Sequence, residues 1–246
     1  MRTVRLHLPL RFAPGDSVTL PEASARHVRT VLRLRDGDPL VVFDGSGPEF
    51  EARLEHGPRK AMLARIGDPL APRTCESPLT LHLAQGISRG PRMDYTVQKA
   101  TELGVHRITP LVTERSVVRL EAERAERRTD HWQALASGAC EQSGRVRVPV
   151  VEAPVGFGAW LDAGVPGTGV LLDPAAELGP RDLPAPQGVL TLLVGPEGGL
   201  APAERTAALE RGFTGIRLGP RVLRTETAAV TALAALQLLW GDLGAT

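Results

Sequence analysis

Between Leu190 and Leu236, two glycine-bearing loops each follow directly on a short apolar run, and this constrains the fold more than any other part of the 246-residue chain. The first is Leu193-Val194-Gly195-Pro196-Glu197-Gly198-Gly199. The second is Leu218-Gly219-Pro220-Arg221-Val222-Leu223-Arg224-Thr225-Glu226-Thr227, which enters an alanine-rich helix reaching Trp240. Short apolar runs that alternate with helical segments predict an α/β fold with a buried parallel sheet covered by helices. Ligands of such sheets sit outside the carboxyl ends of the strands. Glycines there let the backbone turn sharply and keep side chains out of a ligand's way. An ordinary strand-to-helix turn explains the first loop equally well, with Pro202 as first helical residue. The second loop favours a ligand site, because it is too rich in arginine and aliphatics for a mere connection. Its Thr225 and Glu226 also suit a helix start, where hydroxyls and carboxylates meet free N–H groups.

Upstream, the pattern changes. Residues 3–8, 17–20, 39–43, 50–54 and 60–66 read as short strands. Asp44-Gly45-Ser46-Gly47 reads as a hairpin turn between two of them. A helix is expected over 21–34, with Val28, Val31, Leu32 and Leu34 inward and Arg26, Arg29 and Arg33 outward. His27 fits either side. A small β-barrel with one helix accounts for residues 1–72, and a proline-rich stretch around Pro69 and Pro72 marks the boundary to a second domain over 73–246. In that domain, strands are expected at 79–84, 108–112, 170–172, Leu190–Val194 and 216–218. Helices are expected at 94–103, 121–143, 202–211 and 227–240, with a Pro/Gly-rich loop over 156–188.

Composition excludes several classes. The 29 basic and 28 acidic residues leave a net charge of +1, so no global field draws the chain to a polyanion or membrane. Locally, residues 1–35 hold seven arginines against Asp16 and Glu22, a balance compatible with phosphate contact as well as with a solvated surface. The two cysteines, Cys75 and Cys140, stand in no Cys/His cluster, so no metal site and no disulfide framework is expected. No apolar run approaches a membrane span, and Met1-Arg2-Thr3-Val4-Arg5 has no apolar signal core, which makes the cytoplasm the expected location. Neither a phosphate-binding GxxxxGK[ST] loop nor a dinucleotide G-x-G-x-x-G motif occurs.

The two glycine loops, together with three upstream motifs, closely resemble the RsmE family of ribosomal RNA methyltransferases, members of the SPOUT class. Those motifs are Arg26-His27-Val28-Arg29-Thr30-Val31-Leu32-Arg33, Gln98-Lys99-Ala100-Thr101-Glu102-Leu103-Gly104-Val105 and Ala139-Cys140-Glu141-Gln142-Ser143-Gly144-Arg145. The resemblance implies a SPOUT-type parallel sheet with a C-terminal trefoil knot, preceded by a PUA-like RNA-binding β-barrel. It implies S-adenosyl-L-methionine as cofactor, and a homodimer with active sites at the subunit interface. The implied reaction is methylation of N3 of one uridine in 16S ribosomal RNA, as free RNA or in the assembled small subunit. Ala201 departs from the family's serine and removes an N-cap oxygen, which Pro202 and Glu204 compensate.

Carried onto this sequence, the resemblance makes Leu172, Val194, Gly195, Pro196, Glu197, Gly198, Gly199, Leu218, Gly219, Leu223 and Thr225 the cofactor-binding residues. Arg224 is expected to stabilise a uracil anion, since a fixed guanidinium suits a developing negative charge on oxygen. The N3 proton passes to Glu226, Glu141 or water. Arg26, His27, Arg29 and Arg33 are expected to grip RNA phosphates, with Lys99 and Arg145 extending that path. Two other readings stay open on the sequence: a SPOUT enzyme with a different acceptor, and a non-catalytic RNA-binding assembly factor.

Overall fold

A computed structural model describes residues 4–58, 61–73, 75–116 and 122–244. The strand and helix starts expected at Thr3, Lys60 and Glu121 lie outside the described residues. Contacts divide the chain into two compact units, one made of Met1–Glu76 and Cys140–Val148, the other of Ser77–Ala139 and Pro149–Thr246.

The first unit is built on a five-stranded sheet of β1 (Val4–His7), β2 (Ser17–Thr19), β3 (Pro39–Phe43), β4 (Glu49–His56) and β5 (Met62–Pro69), in the order β1-β3-β4-β5-β2. Every pairing is antiparallel except β1 with β3. Alternation sets the register: Ala52 and Leu54 of β4 point into the core while Glu51 and Arg53 face out. Leu6, Leu40, Val42, Ala64 and Ile66 complete that apolar face. The 44–47 turn joins β3 to β4 as anticipated. Gly45 has φ +85°, and Asp44 Oδ1 accepts hydrogen bonds from the Ser46 N–H (2.8 Å) and hydroxyl (2.6 Å).

The N-terminal helix differs from its expected form. Helix α1 covers only Glu22–His27 and passes into a π-helical turn, Val28–Leu32, closed by Arg33 in the left-handed region at φ +53°. The wider π turn breaks the 3.6-residue phase. Val28 is therefore buried as expected, but Val31 is 65 % exposed rather than inward.

The second unit carries a seven-stranded parallel sheet. Its strands are β6 (Leu81–Gly86), β7 (Val105–Val112), β8 (Val150–Val151), β9 (Val155–Gly156), β10 (Thr168–Leu172), β11 (Leu190–Val194) and β12 (Thr214–Ile216). They run β12-β10-β11-β6-β7-β8, with β9 also on β7. All residues of β6 and β11 are buried, so neither strand shows an exposed face, although β6 includes the polar His82 and Gln85 and β11 the polar Thr191. The helices are α2 (Pro91–Glu102), α3 (Ala122–Ser143), α4 (Phe157–Asp162), α5 (Pro202–Glu210) and α6 (Thr225–Trp240). Helix α6 packs on α2 and β11. Its fully buried Ala229, Ala232, Leu233 and Leu236 share one core with Met93, Val97 and Ala100 of α2. A polar tie closes this packing, with Gln237 Oε1 accepting from Ser77 (2.7 Å) and Gln237 Nε2 donating to the Leu103 carbonyl (2.7 Å).

Several boundaries move relative to the sequence expectation, β7 beginning at Val105 and α6 at Thr225 among them. The first strand begins at Leu81, and the last one ends at Ile216 before the second loop rather than running to Leu218. Helix α2 starts at Pro91, where the missing N–H costs nothing. The stretch 156–188 is not all loop: Phe157, Trp160 and Leu161 fall on one helical face and are buried as α4. No described helix is long and apolar enough to cross a membrane.

Candidate functional site

At the carboxyl ends of β10, β11 and β12, the two glycine loops enclose a cavity of about 500 Å³ lined wholly by residues of the second unit. Leu172 lines one side, Val194 through Leu200 another, and Leu218, Gly219 and Arg221 through Glu226 the third. All eleven residues expected to hold a cofactor, and both Arg224 and Glu226, are therefore brought together.

The glycines are required by local geometry. A Cβ on Gly195 would stand 2.8 Å from the Leu200 nitrogen and 2.9 Å from the Gly199 carbonyl carbon, so the loop folds back on a position where no side chain fits. Gly199 and Gly219 adopt φ +67° and +74°, a region costly for L-residues. The Gly199 N–H closes the turn on the Pro196 carbonyl at 2.8 Å. Past this turn, Glu204 keeps the reciprocal half of the cap at Ala201, its Oε2 accepting the Ala201 N–H at 2.9 Å. The other Glu204 oxygen accepts the Glu114 N–H at 2.9 Å.

Several site residues were not singled out from sequence. Gly86, at the end of β6, lies so close to the first loop that a Cβ there would meet Pro196 Cδ and N at 2.5 Å. A third glycine following an apolar run was the available signal. Gln85, fully buried, donates through Nε2 to the Thr225 hydroxyl (3.0 Å) and the Gly86 carbonyl (3.0 Å). The Thr225 hydroxyl in turn donates to the Gly195 carbonyl at 2.7 Å. Arg92 hydrogen-bonds Glu197 at 3.0 Å, and its Nε lies 3.8 Å from Glu226 Oε1. Arg115 donates to the Gly198 carbonyl at 3.0 Å, and Arg205 is ion-paired with the buried Asp173.

The electrostatics follow from these contacts. Partial burial alone would raise the Glu197 carboxyl pKa. The Arg89 N–H (2.9 Å), its own backbone and Arg92 outweigh that and hold it below the usual range. Arg224 is the N-cap of α6, its carbonyl accepting the Ala228 N–H at 2.8 Å. Its side chain lines the cavity, is exposed, and has no hydrogen-bond or ion-pair partner among the described residues. Glu226 Oε2 is buried and likewise makes no hydrogen bond among them. A free guanidinium and an unpartnered carboxylate oxygen thus line one cavity with two backbone-rich loops. Such an arrangement can polarise an oxygen and accept a proton beside a small bound molecule.

The residues expected to grip RNA fall in different surroundings. Arg26, His27, Arg29 and Arg33 are all exposed along α1 and its π extension, with Arg26 in an open ion pair to Glu22 at 3.2 Å. Lys99 is half-buried on α2 and paired with Glu102 at 2.8 Å. Arg145 is 3 % exposed and bound to Glu76 through Nε (3.0 Å) and Nη2 (2.8 Å), which makes it a structural group of the first unit rather than a surface one. Glu141 belongs to the same unit. Burial raises its carboxyl pKa, and its Oε1 is taken up by the His7 N–H at 2.9 Å.

Comparison with known proteins agrees with this geometry. Residues 75–237 match a family described as an RNA methyltransferase domain, and residues 20–67 match an RNA methyltransferase PUA domain. The chain is 30 % identical over 244 residues to ribosomal RNA small subunit methyltransferase E of Buchnera aphidicola, covering 98 % of both chains. Its counterpart in Bacillus subtilis is 32 % identical, with 94 % of each covered. Among solved structures, ribosomal RNA small subunit methyltransferase E of Neisseria gonorrhoeae bound to S-adenosyl methionine is 40 % identical. It aligns with a TM-score of 0.89 over 98 % of this chain and 100 % of that one. A Legionella pneumophila methyltransferase in complex with SAM aligns at 0.94, also 40 % identical, over 99 % and 100 %.

Proposed function

The chain belongs to the ribosomal RNA small subunit methyltransferase E family, and we propose that it transfers a methyl group from S-adenosylmethionine to N3 of a specific uridine in 16S ribosomal RNA. The observation that carries this reading is the cavity between the two glycine loops, with the unpaired Arg224 guanidinium on its wall. Backbone groups of residues 194–199 and 218–223 would hold the cofactor, Leu172 and Leu223 packing its adenine. The places where a Cβ would collide, at Gly195 and Gly86, and the positive φ at Gly199 and Gly219 fit a backbone drawn tightly around a ligand. When bound, S-adenosylmethionine supplies an electrophilic methyl on a sulfonium centre.

The protein's own residues prepare the acceptor. Uridine N3 carries a proton between two carbonyls and becomes nucleophilic only when that proton leaves. We assign the proton to Glu226, whose Oε2 has no other partner among the described residues, and stabilisation of the uracil oxygen to Arg224. The new bond joins N3 to the methyl carbon as the carbon–sulfur bond breaks, leaving N3-methyluridine, S-adenosylhomocysteine and a proton. Holding acceptor and donor in line supplies much of the acceleration.

RNA contact is assigned to the N-terminal domain, residues 1–72, through Arg26, His27, Arg29 and Arg33, and the chemistry to residues 73–246. Lys99 extends the phosphate path only if its Glu102 pair opens. Arg145 acts indirectly, by holding Glu76. Dimerisation draws support from the exposed Leu238 and Leu239 in the last turn of α6 and Leu243 just beyond it. Trefoil threading draws support from topology, since β12 pairs at the sheet edge while α6, which follows it, returns to pack on β11 and α2. Calorimetric titration with S-adenosylmethionine tests the cofactor assignment: one site per chain is expected, and no heat of binding contradicts it.

A further inference from the structure

Gln85 is a local anomaly. It is the fifth residue of β6, wholly buried beneath the first glycine loop, at a position where a parallel sheet ordinarily places an aliphatic residue. Its amide orientation is fixed by its neighbours. The Thr225 hydroxyl already donates to the Gly195 carbonyl, so it can only accept from Gln85, and the Gly86 carbonyl also requires a donor. Nε2 must therefore face both groups, and it lies 3.4 Å from the Gly195 carbonyl as well. The consequence is an Oε1 with no hydrogen bond among the described residues. Burying an unpartnered carbonyl oxygen is unfavourable, and a sequence selected only for stability would replace it with leucine or methionine.

The contacts explain what the amide does. One nitrogen ties together the end of β6, the carbonyl that opens the first loop and the first residue of α6, whose N-cap is Arg224. We propose that Gln85 is a positioning residue for methyl transfer: through Thr225 it fixes the Arg224 end of α6 relative to the Gly195–Gly199 loop. Gln85 is not among the cavity's lining residues, so it acts through the groups it holds. The inference rests on the reading of the cavity as the methyl-transfer site.

Three variants test it: Gln85→Leu, Thr225→Val and the pair combined, with Thr225→Ser as the conservative rescue. Single-turnover methylation of small ribosomal subunits from a strain lacking this protein gives the rate, and calorimetry gives cofactor affinity. The maximal rate should fall by the order of tenfold to a hundredfold in each of the first two variants, as a sub-ångström misplacement would produce. Affinity for S-adenosylmethionine should change by less than about threefold in Gln85→Leu, which leaves every residue lining the cavity unaltered. The double variant should lose no more than either single one, because both remove the same tie, and Thr225→Ser should recover the rate lost in Thr225→Val. Amide exchange of the peptide spanning residues 195–200 should rise in Gln85→Leu below its melting temperature. Unchanged exchange and rate overturn the proposal, as does additive loss in the double variant. A loss of rate that only follows loss of folded protein overturns it too. An inactive wild type with the exchange effect intact contradicts the methyl-transfer reading and leaves the tie between loop and helix standing.

Discussion

The Thr225 hydroxyl donates a 2.7 Å hydrogen bond to the carbonyl of Gly195, joining the first turn of α6 to the glycine loop after β11 across 30 residues of chain. Thr225 lines the cavity but is buried, and its hydroxyl is taken up by the Gly195 carbonyl and the Gln85 amide. Sequence alone placed it among the residues touching a cofactor or capping a helix. The structure makes it the link between the two loops.

Because that link delivers Arg224 with no competing partner, Arg224 is the residue whose loss should cost most in turnover and least in folding. Arg224→Ala should lower the methylation rate by two orders of magnitude or more, in line with removal of a single oxyanion-stabilising donor, about 3 kcal/mol. S-adenosylmethionine affinity should stay within a few-fold in calorimetry. An unchanged rate would remove Arg224 from the mechanism.

Gly195→Ala should behave in the opposite way. Its Cβ would meet the Leu200 nitrogen at 2.8 Å, backbone that cannot swing aside, so the loop must open to admit it. Cofactor binding should weaken at least tenfold while circular dichroism stays close to wild type, since the sheet itself ends at Val194. Retained affinity would show that the first loop does not grip the ligand.

His82 gives the second unit an acid sensitivity unrelated to catalysis. Burial pushes its pKa from 6.5 down to about 4, Glu152 partly opposing the shift, and its Nε2 lies 2.7 Å from the Thr109 hydroxyl. The folded state binds the proton more weakly than the unfolded state does. The stabilisation is therefore complete above pH 6.5 and is lost as pH falls toward 4, by roughly 3 kcal/mol in total. His82→Gln should flatten the urea midpoint across that window. A wild-type midpoint that does not change between pH 6.5 and 4 would refute the assignment.

In the first unit, Glu76 accepts four hydrogen bonds, two from Arg145 and one each from the N–H groups of Val146 and Arg147. Burial would raise its pKa, but the Arg145 guanidinium and those N–H groups hold it below 4.5. The stability it contributes is present above pH 4.5 and is lost as pH falls through the depressed value. Glu76→Gln removes the carboxylate that the buried Arg145 binds through Nε and Nη2 and should cost about 3 kcal/mol at neutral pH. A loss under 1 kcal/mol in urea titrations would mean that Arg145 finds another partner.

The sequence disclosed what depends on local pattern. Two-sided burial made β11 legible as a largely apolar run, and the glycines that turn the chain after β11 and β12 marked the site. What it concealed depends on tertiary contact. Nothing local shows that Gln85 reaches Thr225, 140 residues away, or that Arg145 turns inward to Glu76 instead of toward solvent. The π turn at Val28–Leu32 likewise follows from packing, so a 3.6-residue stripe put Val31 on the wrong face. Helix α4 is only six residues long and sits among prolines and glycines that mask its Phe157–Trp160–Leu161 face.

The central claim is tested most directly by mass mapping of 16S ribosomal RNA from cells lacking this protein, complemented in parallel with the wild-type chain and with Arg224→Ala. The account predicts the loss of one base methyl, at N3 of a single uridine, restored by the wild type and not by the variant. An intact 16S methylation pattern, or the loss of a ribose methyl instead, would contradict it.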